Sequence, residues 1–316
     1  MLKLESVASF VSIAETGSIA GAARRLGISK SVVSERLTEL ERALGAKFIH
    51  RTTRRLSLTQ DGNAFYERAR QILHDVDSAA AEVAKRRGAL VGPLRISAPV
   101  SFGNLHLGPA LFGLLAKYPG IELTLELDDR FVDVPAEGYD AVVRHGPVDD
   151  KRLIVKRLAA SRRVLVASPD YLKHHGSPTS LQELARHRGV IYTNRGASDW
   201  RFRVGRKFVT VSPRPALRVN NGLLMRDAVV AGLAIALLPT FFLETPLRKR
   251  TLRVIDVGAQ PEGATIFVAY PEHLRSSAKI RVLTAWLQHA FGAPPYWDKL
   301  PTSRPGPGLA DSFASR

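Results

Sequence analysis

The 316-residue chain contains no cysteine. That absence excludes disulfides, thiol nucleophiles and cysteine-held metal sites, and it fits a reducing compartment. Long hydrophobic runs are missing as well. The longest, AVVAGLAIALLPTFFL at 228–243, falls short of a membrane span and carries Pro239, so it reads as a buried helix running into a buried strand. The opening MLKLESVASF places Glu5 in its first turn and shows no apolar core with a cleavage site. No signal peptide is read there, and a cytoplasmic protein without membrane contact is expected. Catalytic motifs are also lacking: there is no Gly-rich phosphate loop, no G-x-S-x-G elbow and no H-E-x-x-H. His174-His175 stand before Gly176 without a matching acidic ligand. Neither an enzyme activity, nor a metal, nor a cofactor is expected.

Acidic residues are scarce. Asp and Glu number 29 against 46 Lys and Arg, for a formal charge of +17 and a pI near 10.6. Such an excess favours a polyanionic partner. The shortage is locally complete between Arg42 and Gln60, a stretch that holds Arg42, Lys47, Arg51, Arg54 and Arg55 and no acid.

The residues just before that patch read GSIAGAARRLGISKSVVSERL (17–37). Ile19, Ala22, Ala23 and Leu26 fall on one face of a helix, with Ser18 where an N-cap belongs and Gly27 where a left-handed C-terminal residue belongs. Ser29 can cap a second helix whose apolar face is Val33, Leu37, Leu40 and Leu44. Two helices joined by so short a turn make a helix-turn-helix. The following KFIHRTTRRLSLTQDG predicts two short strands around an exposed basic tip, which completes a winged helix-turn-helix over 1–62.

Residues 63–89 predict a linker helix. Phe65, Ala69, Ile72, Val76, Ala79 and Val83 alternate steps of four and three, the seam of a coiled coil, and a dimerisation helix is expected. Gly88 and Gly92-Pro93 end it near residue 90. Beyond that point strands alternate with helical patterns, which implies an α/β domain with a largely parallel sheet. Two like-sized lobes, about 93–162 with 267–292 and about 163–266, would enclose a cleft for a small ligand. The Pro/Gly-rich end, 293–316, is expected to be disordered.

The N-terminal FVSIAETGSIAGAARRLGISKSVVSERLTELERALGAKFIHRTTRRLSLTQDG, together with VAGLAIALLP further on, resembles the LysR-type transcriptional regulators over residues 1 to about 292. LRISAPVSFG and DAVVRHGPV are similar to the subgroup of the meningococcal adhesion regulator. The resemblance implies an α/β architecture of N-terminal winged helix-turn-helix, long linker helix and two-lobed, periplasmic-binding-protein-like effector domain. It further implies a homo-oligomer, built as a dimer and then a tetramer, that holds a double-stranded promoter operator, responds to a small-molecule effector and works with RNA polymerase. One departure is visible. Glu35 and Arg36 follow Val33-Ser34 where relatives most often carry arginine and glutamine, and residue 30 is Lys where glutamine is frequent, so base preference is this chain's own.

Ser29, Lys30, Ser31, Ser34, Glu35, Arg36 and Thr38 lie off the apolar face of the second helix and are the candidate DNA contacts. Arg51, Thr53, Arg54 and Arg55 of the wing suit phosphates or the minor groove. Arg24 and Arg25 read as ordinary surface charges. For the effector, the strand-to-helix junction APVSFG (98–103) offers the Ser101 hydroxyl beside N–H groups at a helix start, an anion receptor in form. By resemblance Arg144-His145, Asn194 and Asn220-Asn221 also line the cleft, with Phe102 and Trp200 as an apolar wall. Each has a plainer alternative: Ser101 as an N-cap, Arg144 paired with Asp140 or Asp149, Trp200 in the core. Two other functions compete with the regulator, a solute-binding module without DNA and a sequence-tolerant DNA-compacting protein.

Overall fold

The computed structural model describes residues 2–51, 56–85, 90–194 and 200–298. The first three helices are α1 (Leu4–Thr16), α2 (Ile19–Leu26) and α3 (Lys30–Leu44). Their ends follow the local signals. Ser18 accepts from the Gly21 amide, Ser29 accepts from the Val32 amide, and Gly27 sits at φ 66°. Val33, Leu37 and Leu40 are buried, but Leu44 is 43% exposed, because the helix has by then run past the small core. Strands β1 (Ile49–Arg51) and β2 (Leu56–Leu58) pair antiparallel as the wing, with Ile49 opposite Leu58. Glu41 ties the wing to α3: its buried carboxylate accepts from the Phe48 amide at 3.0 Å and from Lys47 Nζ at 2.7 Å. Lys47 is therefore partly neutralised within the basic stretch.

Helix α4 (Gln60–Lys85) begins three residues before Asn63, because the Thr59 hydroxyl caps it by accepting from the Gly62 amide. Gly62 is required there, since a Cβ would lie 2.1 Å from the Phe48 carbonyl oxygen. The start of α4 belongs to the winged helix. Phe65 stacks on Phe48 with ring centroids 4.8 Å apart, and Ala69 is fully buried in the same core as Phe10, Ile13 and Leu37. Phe65 and Ala69 are thus taken up inside the chain's own domain and do not belong to an open seam. Ile72 and Val76, one and two turns further, are 41% and 43% exposed. The side chains of Ala79 and Val83 lie outside the described residues.

The remaining chain forms two lobes. Lobe I holds the five-stranded sheet β4-β3-β5-β15-β6, made of β3 (Gly92–Ala98), β4 (Ile121–Leu127), β5 (Ala141–His145), β6 (Leu153–Ser161) and β15 (Ala264–Pro271). After β3 the chain winds through α5 (Val100–Phe102), a π-helical segment at Gly103–Leu107 and α6 (Gly108–Lys117). Lobe II starts with β7 (Arg163–Ala167), α7 (Pro169–His175), α8 (Leu181–Leu184) and β8 (Arg188–Tyr192). It continues with β9 (Arg201–Val204), β10 (Lys207–Thr210), β11 (Arg214–Val219), α9 (Gly222–Val230) and β12 (Ala236–Pro239), and ends with α10 (Glu244–Arg248), β13 (Arg253–Ile255) and β14 (Gln260–Pro261). The sheets are mixed, not largely parallel. β15 runs antiparallel to β5 and β6, and β7 antiparallel to β12 and β13, because the chain crosses between lobes twice and each crossing strand returns against its neighbours. Helix α11 (Ala278–Phe291) covers lobe I with Ile280, Leu283, Leu287 and Phe291 buried.

The order does not stop at residue 292. Residues 293–298 fold back, and Trp297, 1% exposed, packs edge-on to Phe102, with the rings of Phe241, Phe291 and His106 also within 6.3 Å. Asp298 accepts from the Thr240 hydroxyl at 2.5 Å, and the Tyr296 hydroxyl meets His106 Nδ1 at 2.5 Å. Residues 293–298 are therefore not part of the disordered end expected from composition: the Trp297 and Tyr296 rings anchor this Pro/Gly-rich segment. Residues 299–316 lie outside the described residues.

Candidate DNA interface and effector cleft

Along α3 the unburied side chains form one stripe. Ser31, Ser34, Glu35, Thr38, Glu39 and Arg42 line an open groove of about 450 Å³. Lys30, Ser31 and Glu35 are exposed, with Ser34, Arg36 and Thr38 half-buried at the stripe's edges. Some of this polarity is already spent locally. Ser29 caps the helix and lies 2.7 Å from the Ser31 hydroxyl, and the Thr38 hydroxyl donates back to the Ser34 carbonyl. Lys3 holds Glu39 at 3.1 Å, whereas among the described residues no cation meets Glu35. In the wing, the backbone of Arg51 closes β1 opposite Leu56. Its side chain and the residues Thr53, Arg54 and Arg55 lie outside the described residues.

The lobes meet at two strand-to-helix junctions. At the first, Ser101 Oγ is buried and accepts from the Leu223 amide of α9, across the cleft, at 3.3 Å. At the second, Asn221 caps α9 by accepting from the Leu224 amide at 3.0 Å, while Asn220 is exposed. Asn194 reaches from lobe II to the Asp129 carbonyl oxygen at 3.3 Å. Asp129 was not anticipated. Its carboxylate accepts from the Val100 amide at 3.1 Å, so the helix start expected to receive an anion already holds one. Burial keeps this carboxyl above the usual carboxylate range, against the lowering effect of the Val100 bond. A signal was present in the sequence, since an acid at the carboxyl end of a parallel strand, here just past β4, points into the crevice of such sheets.

Arg144 pairs with neither Asp140 nor Asp149. It is half-buried and donates to Ser97 Oγ and the Val143 carbonyl, each at 3.0 Å, and desolvation holds its pKa below the ordinary arginine value. Asp140 instead accepts from the Arg95 amide at 2.7 Å. His145 turns from the cleft toward the hinge, with Nε2 2.8 Å from Ser161 Oγ and Phe241 edge-on at 5.6 Å. Two expected wall residues are corrected outright. Phe102, 2% exposed, packs into the lobe I core against Phe241, Phe291 and Trp297. Trp200, also 2% exposed, belongs to the lobe II core with Tyr171, Leu184 and Phe202. Each ring is surrounded by apolar side chains from several elements of its lobe, so core packing claims both.

Comparison with known proteins fits this geometry. Residues 4–63 match the bacterial regulatory helix-turn-helix protein of the lysR family, and residues 87–292 match the LysR substrate binding domain. The chain is a LysR-type transcriptional regulator. It is 32% identical over 299 residues to the HTH-type transcriptional regulator PtxR of Pseudomonas aeruginosa, covering 93% of this chain and 95% of PtxR. The HTH-type transcriptional regulator DmlR of Escherichia coli is 31% identical, with 91% and 94% covered. Among solved structures, the full-length Vibrio cholerae virulence activator AphB aligns at TM-score 0.60 and 26% identity, covering 90% of this chain and 98% of AphB. CrgA of Neisseria meningitidis aligns at TM-score 0.57 and 27% identity over the same shares. AphB and CrgA are alike in distance, so the family stands and the meningococcal subgroup does not follow from it. As a member of this family, the LysR-type regulator binds DNA, carries an effector-binding domain and is not an enzyme. Among its described residues no helix is long and apolar enough to cross a membrane.

The half-buried carboxyl of Asp129 gives this regulator a measurable pH signature. A carboxyl whose folded pKa is raised favours folding only below its unfolded pKa, and that contribution is lost as pH rises through the folded value. Asp129→Asn keeps an acceptor for Val100 and removes the charge. The variant should melt above the parent at pH 7, and the gap should close as the pH falls to about 4, in the ordinary carboxylate range. A variant that melts below the parent at pH 7 would show that Asp129 is stabilising as a charge.

Proposed function

We propose that this regulator is a cytoplasmic homo-oligomer that reads promoter DNA through the exposed stripe of α3 and the basic wing, and answers to a small polar effector held where Ser101 meets α9. The winged helix takes 1–62, the linker the part of α4 from 63 onward and the effector domain the chain from 90, and the exposed Ile72 and Val76 support self-association along α4. RNA polymerase is the partner through which such binding acts on transcription. Within the family, the likeness to CrgA and AphB supports placing the chain beside both.

One observation carries the effector reading, the Ser101–Leu223 hydrogen bond across the cleft. The junction joins a serine hydroxyl of lobe I to a backbone amide at the start of α9. A carbonyl or carboxylate oxygen can take the Leu223 amide in place of Ser101, while the serine hydroxyl donates to the same ligand. Asp129 already covers the opposite helix start, so a ligand anion is received by α9 and Arg144 and repelled from Val100. A panel of small carboxylates and neutral metabolites, scored by thermal shift on the full chain, tests this. A compound that stabilises the parent should bind Ser101→Ala about fivefold more weakly, the equivalent of roughly 1 kcal/mol. DNA binding without ligand should match the parent's. Equal stabilisation of parent and variant would place the effector elsewhere.

A further inference from the structure

The positive charge of this chain is not concentrated in the winged helix. Residues 1–62 hold ten Lys and Arg against six acids, whereas residues 201–226 hold seven Lys and Arg and no acid at all. This second acid-free stretch opens with the hairpin β9–β10, in lobe II. Val204 pairs with Lys207, so Gly205 and Arg206 make a two-residue turn, with Gly205 at φ 59° supplying the conformation it needs. Strand β10 is the edge of its sheet, and every residue from Arg203 to Thr210 is exposed.

Two of the seven cations are neutralised: Arg201 pairs with Glu262 and Arg226 with Asp227. Among the described residues no carboxylate lies within ion-pair distance of Arg203, Arg206, Lys207, Arg214 or Arg218. On the hairpin, Arg203 lies opposite Phe208, and the Arg201 guanidinium sits 4.7 Å from the centre of that exposed ring. Directly after it, Arg214 of β11 stands in register beside Arg188 of β8, two exposed like charges side by side. Neighbouring like charges destabilise a sheet unless an anion lies between them. Guarding an edge strand against self-pairing takes a single cation, and Lys207 is enough for that. The other four are left to explain.

We infer that the β9–β10 hairpin of lobe II is a second DNA-contacting surface, which lays Arg203, Arg206 and Lys207 along the phosphate backbone outside the segment held by the winged helices. Its chemistry is that of backbone binding: cations without carboxylate partners beside an exposed aromatic, with Arg203 held in place by the Gln260 side-chain oxygen at 3.1 Å. Because the winged helix already brings this chain to duplex DNA, a modest second contact acts at high effective concentration.

The test is the salt dependence of full-length protein binding to a random-sequence 80-base-pair duplex. Arg203→Gln/Arg206→Gln/Lys207→Gln should make the slope of log K against log [salt] shallower by about 2.7 for each protomer whose three cations meet phosphates. Arg203→Lys/Arg206→Lys keeps the charge and should behave as the parent. On an operator fragment selected with the parent protein, hydroxyl-radical footprints of the neutral variant should lose protection only at the flanks. An unchanged slope overturns the inference, and so does unchanged DNA binding with lost transcription in vitro, which would assign the hairpin to the polymerase. Should the triple variant melt below the parent, Arg206→Gln alone, at the exposed turn, still reads a change of about 0.9 in slope per contacting protomer, or none.

Discussion

Trp297→Ala should cost about 3–5 kcal/mol of unfolding free energy, the range for deleting a large buried aromatic. The indole is 1% exposed, and its neighbours Phe102, Phe241, Phe291 and His106 come from three separate parts of the chain. None of them can collapse into the space without losing its own packing. The loss also reaches the hinge. Thr240, which donates to Asp298, receives its backbone position from Arg162, the residue between β6 and β7 where the chain first crosses between lobes. Urea denaturation of the full chain measures the effect, with the midpoint expected to fall at nearly constant slope. Truncation after Gly292 should be at least as damaging. Trp297→Phe should cost much less, because among the described residues the indole N–H is buried without a partner and the phenyl ring carries no such donor. A loss below about 1 kcal/mol in Trp297→Ala would mean that residues 293–298 rest on the domain without supporting it.

The second large effect concerns assembly. Ile72→Asp or Val76→Asp should convert the oligomer to a smaller species in sedimentation, since burying an unpaired carboxylate at a contact costs several kcal/mol. Both side chains are more than two-fifths exposed in the single chain, so the winged helix itself should keep its melting temperature. DNA affinity should fall with the oligomer, because two half-sites are no longer held together. Phe65→Asp gives the contrast. Phe65 stacks on Phe48 inside the winged-helix core, so this change should unfold the domain before it can report on assembly. An undisturbed sedimentation profile for both Ile72→Asp and Val76→Asp would remove α4 from the interface.

What lies within a few residues along the chain was legible without a structure. The caps at Ser18, Gly27 and Ser29, the buried Val33-Leu37-Leu40 face and the wing strands all depend on hydrogen bonds and periodicities closed inside one turn or one hairpin. The family follows from them, since the order and spacing of those short signals are what its members share. The tertiary structure alone decided which large side chains face a cleft and which fill a core. Phe102 and Trp200 have the composition of a ligand wall, yet each is surrounded by residues from strands and helices distant in sequence. The same holds for the helical seam, where Phe65 and Ala69 are claimed by Phe48 and Leu37 while Ile72 and Val76 are left outside. Asp129 at Val100, Ser101 at Leu223 and Trp297 under the hinge are pairings across 29, 122 and more residues. Burial and long-range hydrogen bonding are properties of the assembled neighbours, and no local pattern specifies who those neighbours will be.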